Sequence, residues 1–445
     1  MQLFNENGYK ISRNIVIRQE VFGGLVFDRV KFVIYRLTPK AYSLLSYFYN
    51  PVGDFKELVD SIDITDNELT VFLDHSIKLN FLLNKADREV ILPCTKYEFN
   101  NSLKLTDEDA KRCHATKELI STLRAPTFVW WDITYLCNLS CSYCYSNSSK
   151  ELRNELDFES VCKILCELRN SGVFYVFFLG GEPLLRKDFI DILEYAQSIG
   201  LGTMLTSNGW FINESVANKL HDVGVSIARI SIDGYRSSTH DKIRNKVGSW
   251  DKATNAVNHL VNSKIPKVGI SPTITPENLN EIDELINWAS EHNVDEIQIS
   301  PLCATGRGKH LPELSVDESL KLKEIVAASK SKYKLEINAP EGIDNNKPAQ
   351  HYVKHECMSP LLSGCGAGRN SMAISPYGEV YPCILKRDSV GNVLNYDKFN
   401  DFLQTETFLE LRRKRESCLG CKFEDYCAGL CRIMSVRNSL DCKKL

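Results

Sequence analysis

A long apolar run, an export signal and a surplus of charge are all missing from this 445-residue sequence. No stretch approaches the roughly 20 apolar residues that a membrane-spanning helix needs, so no membrane partner is expected. The opening MQLFNENGYK is polar and has no signal-peptide core, and a cytoplasmic protein is expected. Lys and Arg total 54 against 57 Asp and Glu, a formal charge of -3. Phosphate binding rests on clustered cations, so no nucleic-acid partner is expected. A disulfide framework does not suit a compartment that keeps thiols reduced. The 16 cysteines are left with metal or cluster ligation as their leading use.

What is present is ordinary globular composition, 43% hydrophobic and 25% charged, in a chain long enough for about three domains of roughly 150 residues each. The cysteines fall unevenly. Cys94, Cys113, Cys162, Cys166 and Cys303 are scattered, three crowd residues 137–144, and eight lie between 357 and 442, which implies two metal-binding regions. Residues 1–90 read as a small α/β unit. Ile15 to Val21, Leu25 to Phe27 and Lys31 to Leu37 are rich in Val, Ile, Phe and Tyr, the composition of strands. Helical spacing follows over Pro39 to Phe48, Asp54 to Ile62 and Thr65 to Leu79, the last opened by Thr65 or Asp66 as a cap. That order is winged-helix-like, but 11 basic against 12 acidic residues argue against DNA. Residues 91–126 are a polar linker.

From Phe128 onward, six strands alternate with helices: FVWWDIT, VFYVFFL, GTMLTS, SIARISI, KVGISPTI and EIQISPL. Helices are expected near Ser160 to Asn170, Phe189 to Ile199, Glu214 to Val223, Trp250 to Asn262 and Leu279 to Glu291. Such alternation means a parallel sheet with helices outside, an open barrel or a doubly wound sheet. Polar signatures follow the strands in order: Cys137, then Gly180-Gly181-Glu182-Pro183, Ser207-Asn208-Gly209, Ser231-Ile232-Asp233-Gly234, Thr275, and Thr305-Gly306-Arg307-Gly308. The C-terminal rim of such a sheet is where active sites are built. Residues 309–355 form a bridging region with a helix at Val316 to Ser329. Residues 356–445 are cysteine-dense with little regular pattern, and such a segment needs metal to fold.

Cys137-x3-Cys141-x2-Cys144 supplies three thiolates from one short loop. A structural zinc site closes with four ligands, whereas a 4Fe-4S cluster on three thiolates keeps one iron open. A zinc knuckle completed by a distant residue is the alternative. Among the other candidates, Cys162 and Cys166 lie among the apolar residues of a helix and read as packing, as does Cys303. Trp130 and Trp131 read as core, one ring facing the barrel interior and the other the helices.

CNLSCSYC, the GGEP run and the strand-helix alternation over residues 127–308 resemble the radical S-adenosylmethionine (SAM) superfamily. The resemblance implies an α/β fold built as a partial (β/α)6 barrel, with Cys137, Cys141 and Cys144 holding the SAM-binding 4Fe-4S cluster. It gives Gly180, Gly181 and Glu182 the methionine amino group, Ser207, Asn208, Ser231 and Asp233 the ribose and carboxylate, and Arg307 the flank of the adenine. His240-Asp241-x2-Arg244 matches a further family stretch except that Asn245 stands where the family has Gly, which puts a cofactor contact by Arg244 in doubt. The second region, Cys365-x12-Gly378-x4-Cys383 with Cys418, Cys421, Cys427, Cys431 and Cys442, resembles the seven-cysteine SPASM extension. That extension implies two auxiliary 4Fe-4S clusters in a C-terminal iron-sulfur domain. One would take Cys365, Cys383, Cys431 and Cys357, the other Cys418, Cys421, Cys427 and Cys442. A pair of zinc ribbons is the alternative for the same thiolates.

The N-terminal module, through IVIRQEVFGGLVFDR and FVIYRLTPKAYSLL, resembles the leader-peptide recognition element of ribosomal-peptide maturases. A leader peptide is then expected to add as a strand beside Lys31 to Leu37 and the helix from Thr65. The layout and the run CGAGRNSMAISPYGEVYPC are similar to the subtilosin A thioether-forming maturase. The expected activity is hydrogen abstraction from a precursor peptide followed by an intramolecular crosslink, thioether or carbon-carbon, with an external reductant such as flavodoxin or ferredoxin. The alternatives are a sulfatase-maturase-like side-chain oxidase and a zinc-dependent nucleic-acid-binding regulator.

Overall fold

The structure, a computed structural model, describes residues 9–49, 53–86, 122–149, 154–339, 365–395 and 399–416, with isolated positions between 102 and 119 and residues 419–420. The expected N-terminal hairpin forms. Strands β1 (Tyr9–Ile11), β2 (Ile15–Glu20), β3 (Gly23–Asp28) and β4 (Val33–Leu37) are followed by helices α1 (Pro39–Tyr49), α2 (Phe55–Ser61) and α3 (Asp66–Lys78), then by β5 (Leu82–Asn84). Gly23 takes φ 125° where the chain turns back, a conformation that glycine adopts freely. Helix α3 starts where the Thr65 hydroxyl accepts from the Glu68 N–H while the Glu68 carboxylate accepts from the Thr65 N–H, a capping box. Antiparallel pairing joins β2 to β3 and β3 to β4, and the short β6 (Ser102–Leu103) runs parallel to β2. Among the described residues β4 is the outer strand, paired on one side only.

A nine-stranded sheet forms the centre of the molecule. Six parallel strands lie in chain order: β7 (Phe128–Thr134), β8 (Tyr175–Gly180), β9 (Gly202–Ser207), β10 (Ile227–Ile230), β11 (Lys267–Ile270) and, after the short β12 (Thr273–Ile274), β13 (Glu296–Gln298). Between them run α4 (Phe158–Ser171), α5 (Phe189–Ser198), α6 (Glu214–Asp222), α7 (Ser237–Arg244), α8 (Ser249–Asn262) and α9 (Ile282–Glu291). Chain-order neighbours with helical crossovers are the partial-barrel arrangement. Three strands of this sheet were not expected from the sequence. After β14 (Ser300–Pro301) and α10 (Val316–Lys332), β15 (Glu336–Asn338) extends the sheet beyond β13. At the other edge β16 (Ser371–Ile374) pairs parallel to β7, and β17 (Val380–Tyr381) pairs antiparallel to β16. The C-terminal region is thereby part of the barrel wall. Helix α7 was missed as well; its eight residues carry no apolar stripe long enough to read. Strands five and six are each interrupted, the fifth at Pro272 between β11 and β12, where proline has no N–H for the ladder, and the sixth at Ile299 between β13 and β14.

Side-chain alternation divides the interior into two zones. Trp131, Ile133, Phe178, Leu205 and Ile230 face the helices in the main core. Phe128, Trp130, Tyr175, Phe177, Met204 and Ile227 face inward. The two tryptophans thus part as expected. Phe128 stacks on Tyr175 at 5.1 Å between ring centroids and Trp130 on Phe177 at 4.5 Å.

The N-terminal sheet closes the inward-facing zone from below. Its Ile15, Ile17 and Val26 pack against α1, α2 and α3, while Val16, Leu25, Phe27 and Phe32 pack with the barrel's inward aromatics. A Cβ on Gly202 would stand 2.9 Å from the Phe32 ring and 3.1 Å from Phe27, so the glycine at the start of β9 makes room for this hairpin. Arg18 is fully buried at the junction. It pairs with Glu20 at 2.7 Å and donates to the Pro126 carbonyl at 3.1 Å and the Gly172 carbonyl at 2.6 Å, while Glu20 accepts from the Arg124 N–H at 3.1 Å. Removing one member of a buried pair strands the other charge, at a cost of about 3–5 kcal/mol. Arg18→Met is therefore expected to speed amide exchange across residues 9–86 while the helices around the barrel keep their protection. Unchanged exchange would show that this pair does not hold the junction.

Candidate active site

The loop after β7 carries the three clustered cysteines. An isolated bridge between Leu136 and Ser149 closes it, with the Cys137 N–H donating to the Ser149 carbonyl at 2.7 Å and the Ser149 N–H to Tyr135 at 3.0 Å. Cys137 and Cys141 are buried, and Cys144, Tyr143 and Trp210 pack against them. Each sulfur has one polar neighbour. The Leu139 N–H lies 3.4 Å from Cys137 Sγ, Arg244 Nη1 3.8 Å from Cys141 Sγ, and Ser146 Oγ 3.3 Å from Cys144 Sγ. Burial pushes the Cys137 thiol up to about 12 and raises that of Cys141. The thiolate form therefore calls for compensating positive charge, which iron supplies. Three thiols packed together in one loop, each with a polar neighbour, have the chemistry of iron-sulfur cluster ligands.

The GGE turn after β8 lies directly against this loop. Gly180 has φ 128°, and a Cβ on Gly181 would stand 2.2 Å from the Leu136 carbonyl oxygen, so only glycine allows the approach. The Gly181 N–H donates to Thr134 at 2.7 Å and the Glu182 N–H to Leu136 at 2.8 Å. The buried Glu182 carboxylate accepts from Ser207 Oγ at 2.9 Å, the Asn208 N–H at 2.8 Å and the Leu184 N–H at 3.2 Å. Three of the roughly four acceptor positions of a carboxylate are taken, leaving one. Burial outweighs these donors and raises the group to about 7.

Asp233, after β10, is held in the same manner. Its Oδ2 pairs with Arg244 Nε at 2.6 Å and accepts from the Tyr143 hydroxyl at 2.7 Å, and Oδ1 accepts from the Thr273 N–H at 2.9 Å. Ser231 is placed at the strand end by its N–H to the Ser207 carbonyl, 3.0 Å. Arg307 turns back onto the cysteine loop: Nε donates to the Cys141 carbonyl at 3.0 Å and Nη1 to the Ser148 carbonyl at 2.6 Å. Gly306, at φ 55°, lets this happen, since a Cβ there would meet the Cys144 carbonyl oxygen at 2.3 Å.

The residues of the His240 stretch, discounted for lack of a glycine, all have partners here. His240 Nδ1 accepts from the Asp233 N–H at 3.1 Å; Asp241 caps α8 through the Gly248 N–H, the Ser249 hydroxyl and the Trp250 N–H; and Arg244 joins Asp233 to Cys141 Sγ. Asn245 ends α7 at φ 53° and ψ 44°, the left-handed cap that Asn tolerates next after Gly, and its amide donates to Ser140 Oγ at 3.0 Å. The substitution preserves the turn and adds a tie to the cysteine loop.

Of the second cysteine region only Cys365 and Cys383 are described. Cys357, Cys418, Cys421, Cys427, Cys431 and Cys442 lie outside the described residues. Beyond Cys383, Arg387 reaches the barrel. Both its terminal nitrogens lie 3.0 Å from Asp132 Oδ2, and it sits over the rings of Tyr135, Tyr145 and Tyr381 at 5.2, 5.6 and 5.2 Å. Asp132 Oδ1 accepts from the Tyr145 hydroxyl at 2.7 Å. No motif marked Arg387; its proximity in sequence to Cys383 was the only signal.

Residues 131–289 match the Radical SAM superfamily, and residues 365–422 match the SPASM iron-sulfur cluster-binding domain. The mycofactocin maturase MftC of Mycolicibacterium smegmatis is 31% identical over 317 residues, 69% of this chain and 79% of the relative. The chain belongs to the radical SAM superfamily. It is a radical SAM enzyme with a SPASM domain, and this membership implies a SAM-binding 4Fe-4S cluster and auxiliary clusters. The AdoMet-dependent heme synthase of Methanosarcina barkeri is 26% identical over 333 residues, 71% of this chain and 93% of the relative. Among solved structures, that of Streptococcus suis SuiB bound to precursor peptide SuiA matches with TM-score 0.72 at 19% identity, covering 96% of each chain. The zinc-regulator alternative accounts for neither match. No helix among the described residues is long and apolar enough to cross a membrane.

Two outcomes follow for the mouth. Lysine at position 307 reaches one carbonyl where the arginine fork holds two, so Arg307→Lys is expected to release iron to a chelator roughly tenfold faster, at about 1.4 kcal/mol for the lost bond. Equal release rates would remove Arg307 from the bracing of the loop. His240 is pushed down to about 4, first by burial and then by Arg244. A depressed histidine gives stability that is fully present above its unfolded value near 6.5 and is lost as pH falls toward 4, about 3 kcal/mol in all. His240→Gln is expected to flatten that part of the pH-stability curve, read by thermal melts from pH 7 to 4.

Proposed function

We propose that this enzyme modifies a ribosomally made precursor peptide, abstracting hydrogen from a core residue and closing an intramolecular thioether or carbon-carbon crosslink. In this reading residues 1–90 recognise the leader, 91–126 link, 127–308 form the catalytic barrel, 309–355 bridge, and 356–445 carry the auxiliary clusters. The observation that carries it is the N-terminal sheet, fixed to the barrel through one face and to its own helices through the other, with β4 open along one edge among the described residues. Such a sheet offers a peptide a row of backbone donors and acceptors and little else. MftC is by name a maturase, and SuiB was captured with its precursor peptide. Heme synthases share the barrel relationship, but a tetrapyrrole has no use for a strand edge. Side-chain oxidation of a protein substrate likewise leaves the N-terminal unit without a role.

Cys137, Cys141 and Cys144 would hold the SAM-binding cluster, and bound SAM supplies a 5'-deoxyadenosyl radical. The Gly180-Gly181 backbone and the remaining acceptor position of Glu182 suit an ammonium group, whose charge favours the ionised carboxylate. Ser207, Asn208, Ser231 and Asp233 line the adjoining strand ends, and Arg307 acts by holding the loop. Cys365 and Cys383, with Cys357, Cys418, Cys421, Cys427, Cys431 and Cys442, would hold two auxiliary clusters that take up the electron left after bond formation. A cytoplasmic flavodoxin or ferredoxin would supply the reducing electron.

Anaerobically reconstituted protein is expected to hold about twelve iron per chain by cluster stoichiometry, and Cys137→Ala/Cys141→Ala/Cys144→Ala to hold about a third less and form no 5'-deoxyadenosine. Deleting residues 1–90 is a poor test of recognition, because it would expose Phe128, Tyr175 and Phe177. Proline on β4 is cleaner. Adjacent strand residues aim their N–H groups to opposite edges, so one of Ile34→Pro and Tyr35→Pro deletes an outward donor while leaving the pairing with β3. That variant should bind a labelled precursor at least tenfold more weakly and still cleave SAM slowly without peptide. Wild-type affinity in both variants would sink leader recognition by this edge.

A further inference from the structure

One buried donor in the cysteine loop has no acceptor among the described residues. The Nδ2 of Asn138, the residue after Cys137, is buried and makes no hydrogen bond. Its orientation is set by a chain of amides. The Trp210 N–H can only donate, and it points at Asn208 Oδ1 at 2.9 Å. Asn208 must then turn its Nδ2 outward, where it meets Asn138 Oδ1 at 2.9 Å. Rotating the Asn138 amide would set two NH2 groups against each other at that distance, so the Asn138 NH2 faces away from Asn208. An unmet buried donor is costly, and nothing in the fold requires Asn here, since the Asn208 contact needs only an acceptor.

Resting on the proposed placement of the cluster and SAM, we infer that Asn138 is a positioning residue whose Nδ2 donates to an anionic acceptor brought by the loaded site, a cluster sulfur or the carboxylate of SAM. Hydrogen bonds to sulfur raise a cluster's reduction potential by favouring its more negative state. Trp210, which packs on the cysteines, thereby fixes through two side chains which end of Asn138 meets the cofactor. Two of the three residues in this chain, Asn208 and Trp210, belong to the loop after β9, so that loop also sets a donor in the cysteine loop.

The test is a redox titration of the reconstituted enzyme, monitored by electron paramagnetic resonance, without SAM, together with a SAM-binding titration. Asn138→Ala removes the donor without adding charge. If a cluster sulfur is the acceptor, the SAM-free potential of the variant falls by about 59 mV, a tenfold change for a one-electron couple. If the SAM carboxylate is the acceptor, that potential stays and SAM binds about tenfold more weakly. Both values unchanged, with iron content intact, overturns the inference. Should Asn138→Ala fail to keep iron, Asn138→Asp retains the bond from Asn208 and replaces the donor with an acceptor. A wild-type potential and wild-type SAM affinity in that variant overturn the inference equally. Failure of the cluster assignment itself reads differently, as a Cys137→Ala/Cys141→Ala/Cys144→Ala variant that keeps its iron.

Discussion

Packing three thiols into one short loop, two of them buried, sets a problem that the rest of the barrel mouth answers. The loop has no helix or ladder of its own, and its backbone groups cannot be left without partners. The Leu136–Ser149 bridge closes its ends. Arg307 takes two of its carbonyls from the sixth strand, the GGE turn takes Leu136 from the second, Ile243 accepts from the Ser142 N–H at 3.1 Å, and Asn245 holds Ser140. Strand ends far apart in sequence therefore converge on one segment. Gly181 and Gly306 are glycines because that convergence brings backbone against backbone.

The same logic reaches the floor. Inward-facing aromatics run from the N-terminal hairpin through Phe128, Tyr175 and Phe177 and include Tyr145, the residue after Cys144, and Ile384, the residue after Cys383. One packed column thus connects the N-terminal unit, the cysteine loop and the segment after Cys383. A winged-helix-like unit that was only tethered would keep one apolar face; here both faces are covered, and β3 is buried along its whole length. What such a unit leaves available is an edge rather than a surface.

Much of this was legible in the sequence because period and spacing carry it. The six barrel strands, all their helices but α7, and the order of the polar signatures at the strand ends follow from hydrophobic alternation. The nine-stranded width did not, because β15, β16 and β17 are two to four residues long and pair with strands hundreds of residues away or across a connector. Arg244 was discounted on the absent glycine, although what the position demands is a left-handed backbone, which Asn245 adopts. Arg387 had no motif to mark it, and CNLSCSYC contains Asn138 without marking its amide, since their contacts exist only once Asp132 or Asn208 stands beside them in space.

Expectation and geometry differ most instructively in what the polar signatures are for. Glu182, Asp233 and Arg307 read in sequence as groups waiting for a cofactor, yet each carboxylate spends most of its hydrogen-bonding capacity inside the protein and Arg307 spends two donors on the cysteine loop. A parallel sheet ends in a row of unpaired backbone N–H and carbonyl groups, and buried carboxylates there are tolerable only when several donors converge on them. Those donors are the neighbouring strand ends: Ser207, Asn208 and Leu184 for Glu182; Tyr143, Arg244 and Thr273 for Asp233. The signature residues therefore build the barrel mouth by locking adjacent strands together, and what they leave open to it is small: one acceptor position on each carboxylate and the glycine backbone.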